Sequence, residues 1–331
     1  FMKAAFIQET GEPDVIQYEN LPNPSPSKGQ LLIDVEAVSV NPIDTYIRSG
    51  KIPMEKPQPF ILGCDFAGKV IQCGEGNFQF KPGDRIWGSN QGLLGRQGTF
   101  AEQIVVDEQW AYPTPDSVSS EDIASISLVG ITAHLGLFAE AQLQPGQTLF
   151  VPGGSGGVGS MVVQMAKIAG AHVITTAGNS AKAEACRSIG ADEVILYREQ
   201  CLENELKKLA PEGVSVWWET LREPDFDLAV SAMAPRGRMI LMAGREARPN
   251  FPVGPFYVKQ CRLHGFVMFG ASASAQSKCA EDINQWMQEG KLKARIDRIL
   301  PLSETAEAHR LQADNTVKGT GVLSGKIVLK P

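Results

Sequence analysis

Closely paired cysteines are missing: six lie among 331 residues, at 64, 73, 186, 201, 261 and 279, and none forms a CxxC pair. In a chain this large the six read as free thiols rather than a disulfide framework. Long apolar runs are missing as well, so no segment is expected to span a bilayer. The first residues, FMKAAFIQE, lack the apolar core of a signal peptide, and Phe1 ahead of Met2 reads as a residue added in cloning. Positive charge is scarce: 31 Lys and Arg against 37 Asp and Glu give a net charge of -6 and a pI near 5.4. Nucleic acid and anionic membrane reward clustered Lys and Arg, so neither is the expected partner. A cytoplasmic protein is expected. The chain is 43% hydrophobic and 21% charged, enough for a large core and most naturally two domains.

The pattern of what is present changes near residue 119. Before it, LLIDVEAVSV (Leu31 to Val40), KPGDRIWG and TFAEQIVVD read as strands punctuated by turns, with LPNPSPSKG a proline-rich loop. After it, SSEDIASISLVGITAHLGLF is helix-like, with Ser119 or Ser120 as its N-cap. Strands and helices then alternate: QTLFV, Gly157 to Ala169, AHVITTA, SAKAEACRSIG, DEVILY, EQCLENELKKLA, VSVWW, PDFDLAVSAMA and RMILMAG, with RLHGFVMFG as a sixth strand. Short loops between alternating elements imply parallel strands in a doubly wound α/β sheet. The tail returns to mixed elements and closes on the strand GKIVLK.

The strongest chemical signal is LFVPGGSGGVGSMVVQMAKIAG, in which Gly154, Gly156 and Gly159 fit G-x-G-x-x-G between a strand and a helix. Glycine there permits a tight turn, close approach of backbone to a pyrophosphate, and close packing of helix on strand. Gly154, Ser155, Gly156, Gly157, Val158 and Gly159 are therefore the expected dinucleotide loop. An NAD site places an acid roughly 20 residues further on, against the ribose 2′-hydroxyl. From Ser160 to Ala183 there is no Asp or Glu at all, and Lys182 follows the second strand instead. A 2′-phosphate is its natural partner, with Ser180, Tyr197 and Arg198 assisting, so NADPH/NADP+ is the expected cofactor.

VNPIDTYIRSG (Val40 to Gly50), KPGDRIWG, GGSGGVG and the closing GKIVL together resemble the zinc-independent quinone oxidoreductases. These are zeta-crystallin-like members of the medium-chain dehydrogenase/reductase superfamily. The resemblance covers nearly the whole chain, and NPIDTYIRSG is its most specific part. It implies a GroES-like β-rich catalytic domain from 1–118 and 271–331, with a Rossmann domain at 119–270 inserted. It also implies NADPH as hydride donor, a homodimer or homotetramer, and a quinone or enone as small-molecule substrate. Asn41, Tyr46 and Arg48 match the pocket run, Asn41 lying near the nicotinamide and Tyr46 facing the substrate. The resemblance also implies that Thr132 faces the cofactor, that Gly244, Met268 and Phe269 meet its nicotinamide half, and that Lys326 reaches it from the tail. Many relatives carry a tyrosine shortly after YIRSG, where Ile52 stands here, which leaves that wall of the pocket less polar.

GCD at Gly63 to Asp65 raises the question of a metal. In zinc-dependent members of the superfamily, a cysteine stands at the place of Asn41 and a Gly-His-Glu at the place of GCD. A third ligand, a cysteine near residues 127 to 130, is absent from SLVGITAHLGL, and so are the four cysteines of a structural zinc lobe. Zinc needs at least three placed ligands, and Cys64 and Asp65 supply two at most. No metal is expected. Cys64 reads as a buried thiol, Asp65 as a structural or pocket-wall carboxylate, and Asp44 as a turn residue. Two other readings stay open: an enoyl-thioester reductase of the same superfamily, and a non-catalytic NADPH-binding protein.

Overall fold

In the computed structural model, which describes Phe1–Pro331, the chain divides into Phe1–Leu128 with Ala273–Pro331, and Val129–Ser272. The division falls inside the helix that starts at Ser120. That helix carries a correction to the reading of apolar runs. Ser120–Glu140 is long and apolar enough to cross a membrane by length and composition, but 78% of its apolar 18-residue stretch is buried within the protein. Alternating small polar residues hid its length in the sequence: Ser125 and Ser127 turn their hydroxyls onto the backbone at Asp122 and Ile123, which lets them be buried.

The unit Val129–Ser272 holds six strands in the order Glu193–Leu196, His172–Ala177, Thr148–Val151, Val214–Glu219, Met233–Leu241 and Arg262–Gly265. All neighbours are parallel. Numbered along the sequence this is 3-2-1-4-5-6, the Rossmann order, with the switch point beside the first strand. Phe150, Ile174, Ile195, Trp217 and Met239 form its buried core. The rings of Phe150 and Trp217 lie 4.4 Å apart. Burial of each such side chain contributes about 1.5–3 kcal/mol.

The other unit is built on a seven-stranded sheet. Ile296–Pro301, Lys326–Lys330, Gln30–Ser39, Phe66–Cys73, Arg85–Gly88 and Ala111–Pro113 follow one another, and Gln103–Asp107 also pairs with Gln30–Ser39. The pairing that matters most for the site is antiparallel, Val328 opposite Ser39 and Leu329 opposite Val38. It carries the C-terminal tail to the start of the helix Pro42–Arg48. Val40 N–H donates to the Ile327 carbonyl at 3.0 Å and continues the ladder past the strand.

Candidate active site

Within the Rossmann unit, the glycine loop is stitched to the end of the neighbouring strand. Thr175 Oγ1 accepts from Gly154 N–H at 2.9 Å and donates to the Val151 carbonyl at 2.6 Å. Thr176 Oγ1 accepts from Gly153 N–H at 3.0 Å. A Cβ on Gly159 would meet the Gly153 carbonyl at 2.3 Å, and one on Gly154 would meet Thr175 Oγ1 at 2.5 Å. At Gly154 and Gly159 the loop is thus fixed in a shape that leaves no room for a side chain. The helix Gly157–Ile168 starts there, and its N-cap Gly156 offers no side-chain cap. Its first-turn N–H groups and dipole are what a pyrophosphate needs, so these residues fit a dinucleotide.

Beyond the next strand the helix Ser180–Ser188 is capped by Asn179, whose side chain accepts from Lys182 N–H at 2.9 Å. Tyr197 and Arg198 are exposed, with the guanidinium 5.9 Å from the phenol ring centre. A Cβ on Gly178 would lie 3.0 Å from the Tyr197 hydroxyl and 3.6 Å from Arg198 Nε. Gly178, Tyr197 and Arg198 therefore meet at the mouth of the same strand end, one turn from Ser180 and Lys182. Elsewhere in this unit Thr132 and Met268 are buried, Ser155 is 7% exposed, Phe269 is half-buried, and Gly244 has φ +78.

In the other unit, Asn41 precedes Pro42, with Asp44 as the third helical residue. That is an N-cap signature: Asp44 Oδ2 accepts from Asn41 N–H at 2.8 Å. The Asn41 carboxamide is held at both ends. Its Nδ2 donates to Asp65 Oδ2 at 2.7 Å, and its Oδ1 accepts from the Lys326 ammonium. Lys326 also donates to the Val40 carbonyl at 2.7 Å. Ser39 and Ser89 donate to the two oxygens of Asp65 at 2.9 and 2.6 Å. Cys64 donates its thiol proton to Asp44 Oδ1 at 3.2 Å. Asn41, Asp44, Cys64 and Asp65 are all essentially without solvent exposure.

Burial governs the electrostatics of this cluster. It pushes the Asp44 carboxyl up to about 7, against the hydrogen bond from Asn41 N–H and with help from the Asp65 charge. It raises Asp65 too, opposed by the Lys326 charge and by the donors Ser89, Asn41 and Ser39. It lifts the Cys64 thiol well above the usual range, where a neutral thiol is a poor ligand and a poor nucleophile. Burial lowers Lys326, opposed by the charges of Asp65, Asp44 and Cys64. A lysine ammonium is thus the cation that acts on Asp44, Cys64 and Asp65 alike. No three His, Cys, Asp or Glu side chains come together in a form that would hold a metal ion.

Tyr46 and Arg48 share the short helix with Asn41, but residues two apart on a helix face different ways. Tyr46 is half-buried, whereas Arg48 is 3% exposed and its charge acts on His309 of the C-terminal helix. Sequence reading did not bring out Ser39, Ser89 or the link between Asp44 and Cys64. The Asn-Pro-x-Asp spacing was the available signal for Asp44. The serines had none.

A GroES-like sheet and a Rossmann sheet in one chain define the medium-chain dehydrogenase/reductase class. Residues 27–116 match the alcohol dehydrogenase GroES-like domain, and residues 157–288 the zinc-binding dehydrogenase family. Quinone oxidoreductase of Homo sapiens is 30% identical over 333 residues, covering 99% of this chain and 97% of its own. A mycobacterial protein solved as a complex with NADPH is 30% identical with TM-score 0.87, covering 100% of both chains. An NAD-dependent alcohol dehydrogenase is 28% identical with TM-score 0.89, again over 100% of both chains. The chain belongs to the quinone oxidoreductase family of this superfamily.

Proposed function

We propose that this chain is an NADPH-dependent reductase of quinones or activated C=C bonds that works without a metal. The observation that carries the reading is the Asn41–Asp65–Lys326 cluster. At the positions where zinc-dependent relatives gather ligands, this chain sets a carboxamide, a protonated thiol and a carboxylate, bridged to a lysine ammonium. Forming or oxidising an ordinary alcohol passes through a localised, strongly basic alkoxide, which a Lewis acid or a matched proton donor must handle. Hydride addition to a quinone or enone gives a delocalised and far less basic anion. A few hydrogen bonds and good positioning are enough for that anion.

When bound, NADPH supplies the hydride; the chain's own residues bind, orient and donate. Gly154 to Gly159 hold the pyrophosphate on the helix N-terminus, with Thr175 and Thr176 keeping the loop in shape. Tyr46 is the substrate-facing donor, and Asn41, locked by Lys326 and Asp65, fixes the start of its helix. Thr132, Gly244, Met268 and Phe269 belong to the nicotinamide side. The region 119–270 is the cofactor domain of this reading. With a panel of quinones, enones and alcohols, NADPH oxidation should follow the quinones and enones, and NADP+ reduction by the alcohols should be negligible. It should survive dialysis against EDTA. Turnover confined to alcohols or aldehydes, or lost on chelation, would refute it. Enoyl-thioester turnover alone would point to the reductase alternative, and NADPH binding with no turnover to a non-catalytic role.

The preference for NADPH rests on the acid-free stretch after the glycines and on Ser180, Lys182, Tyr197 and Arg198, which follow the ends of two neighbouring parallel strands. A charge-assisted contact to phosphate contributes roughly 1.5–3 kcal/mol, or about tenfold or more in affinity. Lys182→Ala should weaken NADPH by that factor in a fluorescence titration and leave NADH nearly unchanged. Equal loss for both cofactors would remove the 2′-phosphate from the explanation.

A homodimer or higher oligomer is part of the same reading. Arg262–Gly265 is an edge strand, and Val253, Tyr257, Val258 and Val267 around it are 62%, 67%, 70% and 58% exposed. An open, apolar edge of this kind is a pairing surface. Sedimentation velocity should return a multimer that Val258→Glu weakens; a monomer at micromolar concentration would contradict it.

A further inference from the structure

Arg48 closes the helix Pro42–Arg48, and His309 sits in the helix Thr305–Thr316, which packs against it. Arg48 is 3% exposed and His309 is 0% exposed. Arg48 Nε and Nη1 and His309 Nδ1 and Nε2 have no hydrogen-bond partner in the protein. Buried polar atoms in native proteins are nearly all partnered, so four in one place call for an explanation.

Charge narrows it. Arg48 is a permanent cation without an ion pair. Burial, followed by the charge of Glu12 and then that of Arg310, acts on it. Glu12 is exposed. Arg310 is already engaged by Asp14 at 2.8 Å and by Glu307. His309 cannot be the counter-charge, because burial and the Arg48 cation keep its imidazole neutral. One edge-to-face contact with Phe100, ring centres 6.0 Å apart, closes its apolar side. Water can satisfy the nitrogen atoms but leaves the charge uncompensated, and a buried uncompensated charge is the costliest arrangement.

We propose that Arg48 and His309 form a binding site for a small, singly charged inorganic anion of the halide class. The anion accepts from Arg48 Nε and Nη1 and from the N–H of His309. It would tie the last turn of the helix that begins at Asn41 to the C-terminal helix.

The test compares thermal unfolding of the intact protein in sodium chloride and in sodium gluconate at constant ionic strength, gluconate being a bulky organic carboxylate outside the halide class. Chloride at about a hundred times its dissociation constant should raise Tm by about 3 °C or more. His309→Phe and Arg48→Met should each abolish the difference between the salts. Because Arg48→Met is able to disturb folding, bromide-soaked crystals of the unaltered protein provide a second reading, with an anomalous peak expected within hydrogen-bond distance of Arg48. Equal Tm in both salts together with no bromide peak overturns the proposal. So does a structure with the Glu12 carboxylate turned onto Arg48 or with water alone at these nitrogens.

Discussion

Gly159→Ala is expected to weaken NADPH binding by about a hundredfold or more, roughly 3 kcal/mol, while leaving the unfolding midpoint of the other unit unchanged. The added methyl would stand 2.3 Å from the Gly153 carbonyl and 3.2 Å from Gly154 Cα. Both neighbours are backbone, and both are held by Thr175 and Thr176. The loop has to move away from the helix N-terminus, and the phosphate position moves with it. Gly156→Ala is the control: its methyl meets only the Gly153 carbonyl, at 3.3 Å, so a much smaller loss is expected. Isothermal titration with NADPH measures both. Comparable losses for the two variants would show that loop flexibility, not this close approach, sets affinity.

The second large effect is on acid stability, and it belongs to His309. With no halide at the site, its ordinary value of 6.5 is lowered to about 3, by burial first and then by the Arg48 charge, so the comparison is made in halide-free buffer. The unfolded chain therefore binds a proton that the folded chain refuses, so stability is lost as pH falls from 6.5 toward 3. Full loss is on the order of 5 kcal/mol. Asp44 works the other way. Raised from 3.8 to about 7, it takes up a proton more readily when folded, and stability is gained as pH falls from 7 toward 3.8, by about 4 kcal/mol. The two nearly cancel in the unaltered protein. His309→Phe leaves the Asp44 gain unopposed, so relative to the parent it should gain about 3 kcal/mol between pH 7 and pH 4.5. Urea unfolding at the two pH values measures this. A parent and variant with parallel pH dependence would mean that His309 titrates normally.

The Rossmann half of the chain was legible because its rules are local. Strands buried on both faces read as apolar runs, and the glycines stand where a strand meets a helix. Lys182, Ser180 and Tyr197 are singled out by an absence, the missing acid after Gly159, and their role is the proposal made above. The polar cluster was less legible because it is assembled across the chain. Lys326 meets Asn41 from 285 residues away, through a strand pairing that no local pattern announces. Asp44 reads equally well as a turn residue, although Pro42 and the three-residue spacing from Asn41 carry a capping signature. Arg48 is a neighbour of Tyr46 in one motif, and a helix turns the two side chains apart. Its meeting with His309 depends on the packing of two distant helices and left no trace in sequence spacing.

The single most direct measurement is an anaerobic stopped-flow mixing of protein and NADPH with a para-quinone, after exhaustive removal of metal ions. NADPH absorbance should fall in step with quinone consumed, and one of the two C4-deuterated forms of NADPH should slow that fall by a primary isotope effect. No decay with any quinone or enone, or decay restored only by adding zinc, would contradict metal-free hydride transfer.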